Sequence, residues 1–100
     1  APGFILYSSA KSAIFGLTRS LSRELGKYNI RVNAISPGSI ATERQIKLWL
    51  KPKLKKEIMS LQSLKRQLLP EDIANMALYL ASDVSSGCTK QNFIVDGGIT

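Results

Sequence analysis

Histidine is absent from the chain and cysteine occurs once, at Cys88. Without imidazole, the Ser-His and Cys-His nucleophile arrangements and the usual zinc ligand sets are excluded, and no metal site is expected. A lone cysteine cannot close an internal disulfide, which points to a reducing, cytoplasmic setting. No apolar run approaches the roughly 18 residues of a membrane span, and the Ala1-Pro2-Gly3 start does not read as a secretory signal. Aromatic residues make up only 7% and are not interleaved with basic ones, as a base-stacking platform would require. Neither a membrane nor nucleic acid is therefore expected as a partner. Acidic residues are scarce where basic ones gather: between Arg44 and Arg66 the only carboxylate is Glu57.

What remains is the composition of one small globular domain: 100 residues, 44% of them apolar, with a net charge of +7. The basic excess lies in the Arg44–Arg66 span, which includes Lys51, Lys53, Lys55, Lys56 and Lys65. It fits a solvated helix face. It also fits a non-catalytic module that binds an anionic partner or self-associates.

Taken in order, Ala1-Pro2-Gly3 reads as a turn and Phe4–Tyr7 as an apolar approach to a helix, with Ser8 or Ser9 as its N-cap. Ala10, Ile14, Leu17, Leu21 and Leu25 recur at helical steps, predicting one buried stripe in a helix to about Tyr28. Asn29 suits the left-handed stop. Ile30–Ile35 reads as a strand closed by Pro37-Gly38. A short helix is expected over 42–50, capped by Thr42. Pro52 interrupts or restarts the pattern, and Leu54, Ile58, Leu61, Leu64 and Leu68 continue a helical stripe. Pro70-Glu71-Asp72 is a strong helix start, with Ile73, Ala77, Leu80 and Ala81 on the buried face. Ser82–Lys90 is a polar loop, Gln91–Val95 a second strand, and Asp96-Gly97-Gly98 a turn that Asp96 caps.

Two strands joined through helices predict a parallel pair with a right-handed crossover. Such a pair is not a stable layer alone, and only six residues precede Tyr7 to supply a strand for the first helix. The chain is therefore expected to be the end of something larger.

Tyr7 and Lys11 lie four apart, so on a helix both leave one face. A free phenol has a pKa near 10 and is a poor proton acceptor at neutral pH; a neighbouring ammonium favours the phenolate and makes proton exchange with an alcohol or carbonyl oxygen practicable. The spacing also fits a helix-start aromatic beside a solvated lysine, and because Tyr-x-x-x-Lys is a very common accident, spacing alone favours that plainer reading.

Longer stretches carry a resemblance. Tyr7-Ser-Ser-Ala-Lys11, Gly16-Leu17-Thr18 with Glu24-Leu25, and Arg31-Val-Asn-Ala-Ile-Ser-Pro-Gly38 with Thr42 resemble the short-chain dehydrogenase/reductase family. Arg66-x-x-x-Pro70-Glu-Asp-Ile-Ala74 and Val95-Asp-Gly-Gly98 follow in the family's order. The resemblance implies an α/β fold, the C-terminal part of a Rossmann-type doubly wound parallel sheet. Residues 1–100 would be the C-terminal portion of a single NAD(P)-binding domain, with 39–67 as its substrate lid. It implies Tyr7 as general acid/base, Lys11 as its electrostatic partner and ribose ligand, and Pro37, Gly38, Ile40 and Thr42 as contacts of the nicotinamide. NAD or NADP would be the cofactor, a small alcohol or ketone the substrate (a sugar or small hydroxy compound), and a homo-oligomer, dimer or tetramer, the assembly. The family's glycine-rich phosphate loop has no counterpart here, so the isolated chain is expected to be inactive. Trp49 and its neighbours fit the apolar face of a lid helix or a pocket lining.

Overall fold

The computed structural model describes residues 4–38, 40 and 51–100. The expected 42–50 helix, Thr42 and Trp49 lie outside the described residues. Within them the order is α1 (Phe4–Leu25), β1 (Ala34–Pro37), α2 (Pro52–Leu61), α3 (Pro70–Ala81) and β2 (Asn92–Val95). The two strands pair in parallel, from Ala34 opposite Asn92 to Pro37 opposite Val95.

Helix α1 begins earlier than its serines suggest. Phe4–Tyr7 are already helical, so Ser8 and Ser9 sit in the second turn and cannot cap the first. The α-helix stops at Leu25 rather than near Tyr28; a 3-10 turn over Gly26–Tyr28 follows, and Asn29 ends it in the left-handed region at φ 58°. The expected stripe is only half used: Leu21 and Leu25 are partly buried, but Ile14 and Leu17 are 50% and 57% exposed. The buried flank carries Thr18 and Ser22, whose hydroxyls donate back to the carbonyls of Ile14 and Arg19, both at 2.8 Å. With its hydroxyls satisfied by the helix itself, that flank is buried at little polar cost.

Strand β1 starts four residues later than its β-branched content predicts. Residues 31–33 spend their polar groups on the loop before β2 instead of on a regular ladder. The Arg31 guanidinium donates to the carbonyls of Ser82 (3.1 Å) and Ser85 (2.9 Å) and to the Ser85 hydroxyl (2.8 Å). Asn33 donates to the Cys88 carbonyl at 2.9 Å and accepts from the Gln91 N–H at 3.2 Å. The ladder proper then runs from Ala34 N–H to Gln91 O and ends with Gly38 N–H to Val95 O, each 2.9 Å. Donors facing β2 thus fall at even positions, and the N–H that Pro37 lacks belongs on the outer side, where no ladder bond is lost.

Pro52 restarts the helix at its first turn, as α2. The apolar stripe does not continue to Leu68: α2 ends at Leu61, Gln62 turns extended, and Leu68 instead forms a parallel bridge with Ile40. Leu68, 2% exposed, and Ile40 are core residues. The break is fixed by Lys65, whose ammonium folds back on the Met59 and Gln62 carbonyls, and by Gln62 itself. Gln62 is fully enclosed and its amide donates to the carbonyls of Leu64 (2.7 Å) and Arg66 (2.6 Å).

Helix α3 starts at Pro70, as the sequence predicts, and Asp72 accepts the Leu69 N–H at 2.7 Å while gripped by the Arg66 fork at 2.7 and 2.9 Å. Ile73, Met76 and Leu80 are its partly buried apolar positions; Ala77 and Ala81 are exposed, contrary to expectation. The difference is one of helix phase: the 73-76-80 flank is the covered one, and the alanines lie on the flank beside it. After β2, Gly97 and Gly98 turn with positive φ, and the Asp96 carboxylate accepts from the Gly98, Ile99 and Thr100 N–H groups and the Thr100 hydroxyl. This is the capping role expected of Asp96, and the Thr100 hydroxyl and Gly98 N–H lower its pKa.

Gly38 has no room for a side chain. A Cβ there would stand 2.7 Å from both Cα and Cβ of Asp96, whereas at Gly16 it would meet nothing within 4 Å. Gly38→Ala should therefore cost about 1–3 kcal/mol. Gly16→Ala, in the interior of α1, should gain about 0.5–1 kcal/mol. Urea midpoints check both, and equal midpoints would contradict the packing described.

The Arg66 fork, and next the Leu69 N–H, hold the Asp72 carboxyl at about 2, below the ordinary 3.8. Its folded form therefore binds a proton less tightly than the unfolded chain, and the stability it contributes is complete above about pH 4 and lost as pH falls toward 2. Asp72→Asn should lower the unfolding midpoint at neutral pH and flatten that part of the acid limb. An unchanged limb in a pH series of thermal melts would refute this.

Candidate active site

Tyr7 and Lys11 are one turn apart near the start of α1, and the Lys11 ammonium lies over the Tyr7 ring, 5.5 Å from its centroid. Tyr7 is 60% exposed, and Lys11 is half-buried. A cation over an aromatic face is attracted by the ring quadrupole, so the pair holds its own geometry. The phenol is left accessible, with a positive charge beside it. Such a pair can pass a proton to or from an oxygen of a molecule resting on this flank.

Pro37 and Gly38 leave β1 at its C-terminal end. A hollow of about 360 Å³ opens there, lined by Pro37, Gly38, Ile94, Asp96, Ile99 and Thr100 among others. Ile40 follows, buried in its bridge to Leu68. Thr42 lies outside the described residues. The lining of this hollow includes neither Tyr7 nor Lys11.

Phe15, Thr18 and Arg19 line a hollow with Ala34, at the start of β1. At about 1.5 Å per residue, Tyr7 lies about 12–17 Å from Phe15 and Thr18 along the helix axis. The Pro37-Gly38 exit lies at the carboxyl end of β1, and open α/β sheets bind ligands at that end of their strands.

Gly38 also has a purely structural reason to be glycine, its close approach to Asp96. Cys88 is half-buried in its loop. The basic span is less available than its composition implies: Arg66 is paired with Asp72, and Lys65 is turned onto helix-end carbonyls. Sequence reasoning quoted Arg31 only as the start of a family motif and gave neither it nor Gln62 a role. A long polar residue between β-branched neighbours, and a glutamine just after a helical stripe, are the local signals they leave. Among the described residues no three metal-ligating side chains gather, and no helix is long and apolar enough to cross a membrane.

A family model described as "Enoyl-(Acyl carrier protein) reductase" matches residues 1–100. A probable galactose dehydrogenase of Rhizobium meliloti (strain 1021) is 49% identical over 98% of this chain and 38% of its own length. A D-xylose 1-dehydrogenase of Caulobacter vibrioides (strain NA1000 / CB15N) is 44% identical over 94% of the chain and 38% of its own length. Among solved structures, a 4-hydroxyisoleucine dehydrogenase complexed with NADH superposes with a TM-score of 0.89 at 45% identity, over 94% of this chain and 39% of that one. A short-chain type dehydrogenase/reductase from Mycobacterium ulcerans gives 0.88 at 39% identity, over 93% of this chain and 34% of that one. The chain thus spans about 38% of the length of the curated relatives it matches. On the full-length family match and these superpositions, the chain belongs to the short-chain dehydrogenase/reductase family, and its parallel strands and flanking helices are part of a Rossmann-type α/β fold.

Proposed function

We propose that this chain supplies the proton-transfer and nicotinamide-facing part of an NAD(P)-dependent oxidoreductase acting on an alcohol or carbonyl group. The observation that carries the reading is the Lys11 ammonium seated over an exposed Tyr7. The residues present fit one end of a dinucleotide only. Tyr7 and Lys11 offer a phenol and an ammonium, and the strand exit offers backbone and a hollow. No glycine-rich phosphate loop stands in the sequence, so the remainder of the cofactor must be held by residues outside these 100.

The cofactor, when bound, accepts or donates a hydride at the substrate carbon. Tyr7 takes the hydroxyl proton during oxidation and returns it to the carbonyl oxygen during reduction. Lys11 holds positive charge beside the developing phenolate and donates to the ribose. Backbone at Pro37 and Ile40, with the Gly38 turn and the Thr42 side chain, orients the nicotinamide. Residues 39–67 form the substrate lid. The NADH named with the 4-hydroxyisoleucine dehydrogenase makes NAD the first cofactor to test, and the two sugar dehydrogenases make aldoses and small hydroxy compounds the first substrates. A homo-oligomer belongs to the same reading.

The test uses the full-length protein that contains this chain. Tyr7→Phe should lower kcat by about 10²–10⁴-fold and leave dinucleotide affinity near its original value. Lys11→Ala should lower kcat and weaken dinucleotide binding together. Turnover of the Phe variant within threefold or so of the original would overturn the assignment.

A further inference from the structure

At the opposite end of the strands, just before β2, three cations converge on a hollow that the reaction does not use. Arg19, Arg23 and Lys90, with Gly16 and Ser20, line a concavity of about 310 Å³. No carboxylate lines it, and none of the three cations is in an ion pair among the described residues. Arg19 and Arg23 are four apart on α1, a like-charge spacing that destabilises a helix. Lys90 adds a third positive charge at some backbone cost: its φ is 64°, in the left-handed region that favours glycine or asparagine, and its N–H is tied to Val32 O at 2.8 Å. A glycine at position 90 would relieve the backbone and the repulsion at once. The arrangement becomes favourable when a multiply charged anion sits among the three groups.

We propose that this hollow is a binding site for a phosphate-bearing small molecule. Guanidinium forks suit phosphate oxygens, and the lysine adds a compact charge from the facing loop. The Ser20 hydroxyl, without a hydrogen bond among the described residues, is a further donor. The site is independent of the proposed dinucleotide chemistry, because Lys90 precedes β2 whereas Pro37-Gly38 follows β1.

The experiment is calorimetric titration of the full-length protein with sodium phosphate and, separately, sodium pyrophosphate, at low and high chloride. Saturable binding is expected with a Kd of about 1 mM or tighter for pyrophosphate, weaker for phosphate, and weakened by chloride. Arg19→Gln and Lys90→Gly should each weaken it about tenfold, the loss of one charge-assisted contact. Lys90→Gly should do so while keeping or raising the thermal midpoint, which a merely structural lysine would not. Lys53→Gln, removing the same charge from α2, should leave the pyrophosphate affinity as it was. Absence of saturable binding, undiminished binding in Lys90→Gly, or an equal loss in Lys53→Gln would each overturn the proposal.

Discussion

The parallel register of β1 and β2, Ala34 against Asn92 through Pro37 against Val95, organises the described residues. The strands are short, and α2, the Gln62–Arg66 turn and α3 all lie in the connection between them, so the pairing closes a long loop at an entropic cost. It is fastened at both ends by groups outside the ladder. At the entry, Arg31 and Asn33 hold the carbonyls of Ser82, Ser85 and Cys88. At the exit, Gly38 packs against Asp96, whose carboxylate gathers the last N–H groups of the chain, while Gly97 and Gly98 rest on Gln62 and Ser63. The Leu64 and Ser63 N–H groups complete that seat by donating to the Gly97 and Gly98 carbonyls at 2.8 and 3.2 Å.

These fastenings explain what the amino-acid order reveals and what it hides. Asn29, Pro70 and the Asp96-Gly97-Gly98 turn are legible because each acts locally: a left-handed stop, a proline without a donor at a helix start, a carboxylate reaching N–H groups up to four residues ahead. The start of β1 is not legible. Its β-branched signal is real, but Arg31 and Asn33 find partners more than fifty residues away, and nothing in their neighbourhood announces them. Leu68 misleads for the same reason: its helical spacing from Leu64 is accidental, and its partner is Ile40 in a distant segment.

The candidate site divides along the same line. Tyr7 and Lys11 stand four apart on one helix, so their meeting is written into the spacing, and the cation seated over the ring is the expected result. Pro37 and Gly38 reach the strand end only through the long-range register, and Gly38 is shaped first by Asp96. The half-used stripe of α1 has a related cause: Ile14 and Leu17 are apolar in the sequence, yet the flank buried among the described residues carries Thr18 and Ser22. A hydrophobic pattern states what a helix can cover, and the width of the sheet decides how much of it is covered.

The central claim is that Tyr7 and the Pro37-Gly38 exit face one nicotinamide ring. Its most direct test is a set of isotope-filtered NOE measurements on the full-length protein with bound NAD. Contacts from the nicotinamide ring protons to both the Tyr7 ring and the protons of Pro37 and Gly38 are predicted. Contacts to only one of the two groups, or to neither, would contradict the account.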